Sequence, residues 1–162
     1  MLAINNLAVY TRKYEKFALF QKETMGLLSI FQGLFKIQNL DRTGLRYINI
    51  IPFTRENNII PIQSYLNIHV SLPKSIPTDF KSINIIFVSQ TKGGIITTRI
   101  EPVISQDQTK EVFILDFDYA KKDNLKFDLI EKYLNESHNH TKYLFEELIT
   151  EEYKKVMRGE VI

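Results

Sequence analysis

No cysteine occurs in the 162 residues of this chain. Disulfides, thiolate metal sites and a cysteine nucleophile are excluded together, and the absence fits a reducing compartment. Glycine and proline are few, at 6 and 5. With Ile and Phe plentiful, collagen-like, disulfide-scaffold and broadly disordered classes fall away. Long apolar runs are also missing. The longest charge-free stretch of helical pattern, Thr24 to Phe35, is about half of the ~20 residues that a membrane span needs. The opening residues MLAINNLAVYTRKYEK lack the basic start and continuous apolar stretch of a signal peptide. A cytoplasmic chain without a membrane segment is expected.

What is present is ordinary globular material: 44% hydrophobic, 25% charged and 12% aromatic residues, in a length typical of one domain. Residues 1–162 are therefore read as one domain, and such a domain buries roughly 68–70% of the surface its unfolded chain would expose. The net charge of +2 hides an asymmetry, +6 over residues 1–110 and −4 over residues 111–162. Basic residues are scattered, with pairs only at Arg12-Lys13, Lys121-Lys122 and Lys154-Lys155. A nucleic-acid binder concentrates such charge in a stripe, so nucleic acid is not an expected partner.

Periodicity divides the chain into elements. Leu2 to Tyr10 reads as a strand. From Lys13 a helical stripe runs through Phe17, Phe20, Thr24, Leu27, Phe31 and Leu34. Gly26 and Gly33 interrupt that helix, which implies either close backbone packing or a weaker helix. Gly44 to Ile51, GLRYINII, is apolar on both pleat faces, as in a strand covered on both sides. Pro61 to Tyr65 suits a helical turn. Leu66 to Leu72 alternates cleanly and predicts a strand ending at Pro73.

A three-stranded meander follows: Ser82 to Gln90, the hairpin signal Lys92-Gly93-Gly94, Ile95 to Val103, the polar loop Ser105 to Lys110, and Glu111 to Tyr119. Asn124 to Leu148 reads as a helix, with Leu125, Leu129, Tyr133, Leu134, Thr141, Leu144, Phe145 and Leu148 along one side. Thr150 is placed to cap a last short helix. The expected class is α+β: a largely antiparallel sheet of about five or six strands with long N- and C-terminal helices packed on it, loosely like helix-grip folds.

Few residues invite chemistry. His138 and His140 flank Asn139, but residues two apart on a helix point about 200° apart, so they cannot share a metal there. His69, on the polar face of its alternating segment, has only a remote claim as a general base. Asp116 and Asp118 share one strand face roughly 7 Å apart. Two such carboxylates could hold Mg²⁺ or do acid–base work. Arg46, a charge inside an apolar strand, offers the alternative of a structural ion pair, which is preferred. No catalytic residue, metal or cofactor is assigned. Lys92-Gly93-Gly94 reads as a hairpin turn rather than a phosphate cradle.

GLRYINII at 44–51, LDFDYA at 115–120 and HNHTKYLFEELITEEYKKVM at 138–157 resemble a sporadically distributed prokaryotic family marked by G-L-R-Y-I-N-R-I, L-D-I-D and F-E-x-x-I-T-[DE]-E. Gly44, Arg46, Tyr47, Asn49, Asp116, Asp118 and Thr150 fall on those motifs, while Ile50 replaces the second Arg. The resemblance implies no biochemical activity. It implies cargo of variable genomic regions, and with it a defence or mobile-element role. The resemblance implies that members typically carry a further N-terminal region, and this chain is expected to be a form without it.

Three function classes follow. The leading expectation is a non-enzymatic protein-binding or assembly component, self-associating or partnered. The second is a small-ligand module with a cavity between the sheet and the C-terminal helix. The third is a metal-dependent enzyme built on Asp116 and Asp118. The protein contact is expected on the N-terminal helix, where Met25, Leu28 and Ile30 fall partly outside the stripe. It should bury on the order of 1,200–2,000 Å² in total.

Overall fold

The computed structural model describes residues 2–3, 6–77, 81–104 and 110–160. In chain order the elements are β1 (Leu2–Ala3), β2 (Asn6–Leu7), α1 (Phe17–Phe35), β3 (Asn39–Leu40), β4 (Thr43–Phe53), α2 (Ile62–Tyr65), β5 (Ile85–Gln90), β6 (Ile95–Ile104), β7 (Glu111–Lys121) and β8 (Leu125–Lys126). A 3₁₀ turn, Phe127–Leu129, leads into α3 (Ile130–Leu148), and α4 (Glu151–Met157) follows. Four strands form the main sheet in the order β4-β7-β6-β5, every neighbour antiparallel. Two-stranded ladders β1-β2 and β3-β8 stand beside it. The class is α+β with antiparallel sheets.

β7 is an inner strand of the sheet, and its sequence shows why. Phe113, Leu115, Phe117 and Tyr119 alternate onto one face and are almost wholly buried, where α3 packs on β4 and β7. Truncating one such Phe to Ala costs about 3–5 kcal/mol. α3 contributes Ile130, Tyr133, Leu134, Ser137, Thr141 and Leu148 to that layer. Its buried hydroxyls bond back along the helix, Ser137 Oγ donating to the Tyr133 carbonyl and Thr141 Oγ1 to that of Ser137. α4 starts where Thr150 Oγ1 accepts the Tyr153 N–H at 3.2 Å, the N-cap read from the sequence.

The sheet is covered on one face only. Along β4 the buried set is Thr43, Leu45, Ile51 and Phe53, while Arg46, Ile48, Ile50 and Pro52 are exposed. GLRYINII is therefore not enclosed on both sides, because the long helices α1 and α3 both belong to the inner layer. Three other expectations also change. Leu2 to Tyr10 forms two short paired strands instead of one. Leu66 to Leu72 is not a strand: Leu66 makes a single bridge to Ile149 and the Asn67 N–H donates to the Leu148 carbonyl, so the segment lies against the α3–α4 junction. Asn124 to Lys126 is not helical, because Leu125 and Lys126 pair with Leu40 and Asn39 before the 3₁₀ turn at Phe127–Leu129 leads into α3. Of the loop read at Ser105 to Lys110, residues 105–109 lie outside the described residues.

α1 faces inward through Phe17, Phe20, Thr24, Leu28 and Phe31, of which Thr24 and Leu28 are buried. Leu27 and Leu34, placed on the packing stripe by the 3-4-3-4 walk, are exposed instead. On a 3.6-residue helix the Phe20, Leu27, Leu34 line starts at the edge of the contact and drifts about 20° outward per heptad, while the Phe17, Thr24, Phe31 line stays within it. Around Gly26 and Gly33 a β-carbon would meet nothing within 4 Å. Neither glycine is there for close packing.

Candidate functional site

On the open face, Arg46 stands directly across from Asp118 in the β4-β7 register, yet its guanidinium reaches diagonally to Asp116. Nε lies 2.7 Å from Oδ1 and Nη2 lies 2.8 Å from Oδ2, a bidentate fork. Arg99 Nη1, from β6, adds a third bond to Oδ2 at 3.1 Å. Asp116 is only 4% exposed, so both carboxylate oxygens are spent on arginines. Arg46 in turn is held more firmly protonated than usual by that bond, against partial burial. Asp118 meets Arg42 at 3.4 Å. The two carboxylates thus serve separate arginines, with three bonds on Asp116 and a single long one on Asp118. Among the described residues no group of three or more His, Cys, Asp or Glu is placed to hold a metal ion.

Tyr47 and His138 join β4 to α3 on the covered face. The Tyr47 hydroxyl is 2.9 Å from His138 Nδ1 and 3.4 Å from the Tyr14 hydroxyl. Burial, with the Tyr14 hydroxyl behind it, pushes the Tyr47 phenol well above its ordinary range, so Tyr47 keeps its proton, and the imidazole tautomer sets the direction of the bond to His138. The imidazole also stacks on Phe17, ring centres 4.0 Å apart and 8° from parallel. Burial first and Lys142 second lower the His138 pKa from 6.5. Burial likewise pushes the Tyr133 phenol up to about 12, and its hydroxyl donates to the Thr43 and Tyr119 carbonyls.

The His138 shift fixes a pH dependence. The unfolded chain takes up its proton near pH 6.5 while the folded imidazole resists, so stability is full above that pH and falls as the pH drops through the lowered value. The wild-type Tm should therefore decline below pH 6.5 more steeply than that of His138→Phe, which keeps the ring stack without the titration. Equal slopes would remove His138 from the account.

His140 faces elsewhere, stacked on Tyr119 at 5.4 Å, beside a cleft of 310 Å³ between the β5-β6 hairpin and α3. Phe87, Ile96, Thr98, Tyr143 and Leu144 are among its lining. The hairpin tip is folded tightly over β7. Thr91 Oγ1 is 2.7 Å from the Tyr119 hydroxyl, and a β-carbon on Gly94 would lie 2.5 Å from the Ala120 carbonyl oxygen. A larger hollow of 470 Å³ near Phe53 and Tyr65 is floored by the Arg55–Glu111 pair, bonded at 2.9 and 3.0 Å. His69 lies exposed, 3.4 Å from Gln63 Nε2.

The remaining motif residues each have a local structural position. Asn49 Nδ2 donates to the Leu115 carbonyl at 3.4 Å. A β-carbon on Gly44 would meet the Tyr119 carbonyl and the Arg42 guanidinium at 3.4 and 3.5 Å, ordinary contact distances. Thr150 ties α4 to α2, donating from Oγ1 to the Ser64 carbonyl and from N–H to that of Tyr65.

Of the three interface residues expected on α1, Ile30 points to solvent, but Leu28 is buried and Met25 is half-buried against the α3 side of the core. Both lie on the face that meets α3, which is where the true helical period puts them. The outward apolar side of α1 is Leu27, Ile30 and Leu34. Sequence reasoning missed Arg99, whose pairing depends on a register across β6 and β7, and it missed the Tyr47–His138 bond across 91 residues.

No family model matches the chain, and neither a curated protein nor a solved structure matches it.

Proposed function

We propose that this chain is a non-enzymatic protein-binding or assembly component, and that α1 carries one of its contacts. The observation behind this reading is that α1 is apolar on two sides. One side packs on α3. The other presents Leu27, Ile30 and Leu34 at i, i+3 and i+7, exposed by 46%, 61% and 72%. A solvated helix of a lone domain carries polar residues there, and an uncovered stripe of this kind marks a contact surface. The resemblance to a family without known activity belongs to the same proposal. The reading is non-enzymatic because Asp116 and His138, the groups best suited to acid–base work, are engaged in structural bonds.

Ile30→Glu with Leu34→Lys tests it. Both positions are solvent-facing, so the fold and Tm should change little. Native purification from the host should recover a stoichiometric protein with the wild type and lose it with the double variant. Identical recovery from both would remove α1 as the contact. The cleft beside His140 supports a second reading, a module for a small uncharged ligand. Its volume sits at the low end of ligand pockets and its lining combines apolar side chains with a few hydroxyls.

A further inference from the structure

The two edges of the main sheet are built differently. β4 carries Arg46 on its open face and Pro52 near its end, both devices that discourage further strand pairing. β5 carries neither. Its sequence is Ile85-Ile86-Phe87-Val88-Ser89-Gln90, without charge or proline, and it pairs with β6 alone. Among the described residues no backbone bond reaches its free edge. β5 is exposed on both faces as well, with Ile86 and Val88 61% and 68% exposed on the open side and Phe87 45% on the other. A strand exposed in this way is a template for another strand.

We infer that β5 pairs antiparallel with β5 of a second copy, fusing two four-stranded sheets into one. This goes beyond the α1 contact and does not depend on it. Two features select the occupant. Pairing β5 with β4 of the next molecule would be head-to-tail and would propagate as a filament, and Arg46 and Pro52 on β4 oppose it. Pairing β5 with itself closes after two copies, and the uncharged strand places no like charges across the axis.

The register follows from the pleat. A twofold axis normal to the sheet keeps the same face up in both copies, so paired residues must share parity. With the axis at Phe87, Phe87 meets its own counterpart and Ile86 meets Val88, an aromatic pair on one face and β-branched pairs on the other. Shifting the axis to Val88 would set Phe87 against Ser89 and Ile86 against Gln90, a poorer match.

Charge swaps read both the contact and the register. The wild type should be a dimer by light scattering. Ile86→Lys with Val88→Lys should be monomeric. Ile86→Lys with Val88→Glu should stay dimeric, because each Lys faces a Glu only when the axis lies at Phe87. All three should share one circular dichroism spectrum, since both positions are solvent-facing. The α1 variant Ile30→Glu with Leu34→Lys should remain dimeric, which separates failure of this inference from failure of the α1 reading. Because the chain has no cysteine, Phe87→Cys supplies a lone thiol beside its counterpart, and mild oxidation should link two folded copies but not urea-unfolded ones. A monomeric wild type at all concentrations, or a dimer that survives the double lysine variant, would overturn the inference. A Lys/Glu variant that folds but falls apart would overturn the register.

Discussion

Replacing Arg46 and Arg99 together with Met is expected to destabilise the fold by about 3–5 kcal/mol, because it strands a buried carboxylate. Asp116 is the buried member of the cluster, and all three of its bonds come from these two guanidinium groups. For a chain of this length that is a Tm loss on the order of 10 °C. Arg46→Met alone should cost less, about 1–2 kcal/mol, since the Arg46 side chain is more than half exposed and Arg99 remains. Restoring shape by adding Asp116→Leu should recover most of the loss, as an apolar group leaves no charge unpaired. Denaturant melts of the wild type and the three variants decide the matter. A double Met variant as stable as the wild type would mean that the cluster holds nothing together.

Glycine substitutions should give opposite signs at two places. Gly94→Ala should destabilise by about 1–3 kcal/mol, because its β-carbon would press into the Ala120 backbone at 2.5 Å, and backbone cannot yield as a flexible side chain does. The Thr91–Tyr119 bond at the hairpin tip should loosen with it. Gly26→Ala should stabilise by up to about 1 kcal/mol, since α1 has open space there and Ala is the better helix former. Thermal melts of both variants test the pair. Stabilisation by Gly94→Ala, or loss from Gly26→Ala, would contradict the packing described for these elements.

Local chemistry made much of the fold legible. The Lys92-Gly93-Gly94 turn and the runs on either side fixed β5, β6 and β7, and Thr150 marked the start of α4. Leu66 to Leu72 misled because period-two alternation describes any extended segment with one buried side, and only a free neighbouring edge makes it a strand. Leu66 is buried and Ile68 partly buried in the core under the sheet, and the segment's one bridge, Leu66 to Ile149, makes no ladder. Arg46 drew attention as a charge in an apolar strand, and a bonded partner was expected on the premise that it is buried, whereas Arg46 is half exposed and its partner Asp116 is the buried group. Its choice of Asp116 over Asp118, and the arrival of Arg99, rest on registers that no local pattern encodes. On α1 the apolar residues were visible but their division between two faces was not, because a walk of 3.5 residues and one of 3.6 separate only over several turns.

Sedimentation velocity on a native extract of the host, following this chain at its own concentration, tests the assembly reading most directly. The account predicts that the chain sediments as a species larger than its 19.0 kDa mass, and that the species shrinks when Ile30→Glu, Leu34→Lys, Ile86→Lys and Val88→Lys are combined. A wild-type chain that sediments throughout as a 19.0 kDa monomer would contradict it.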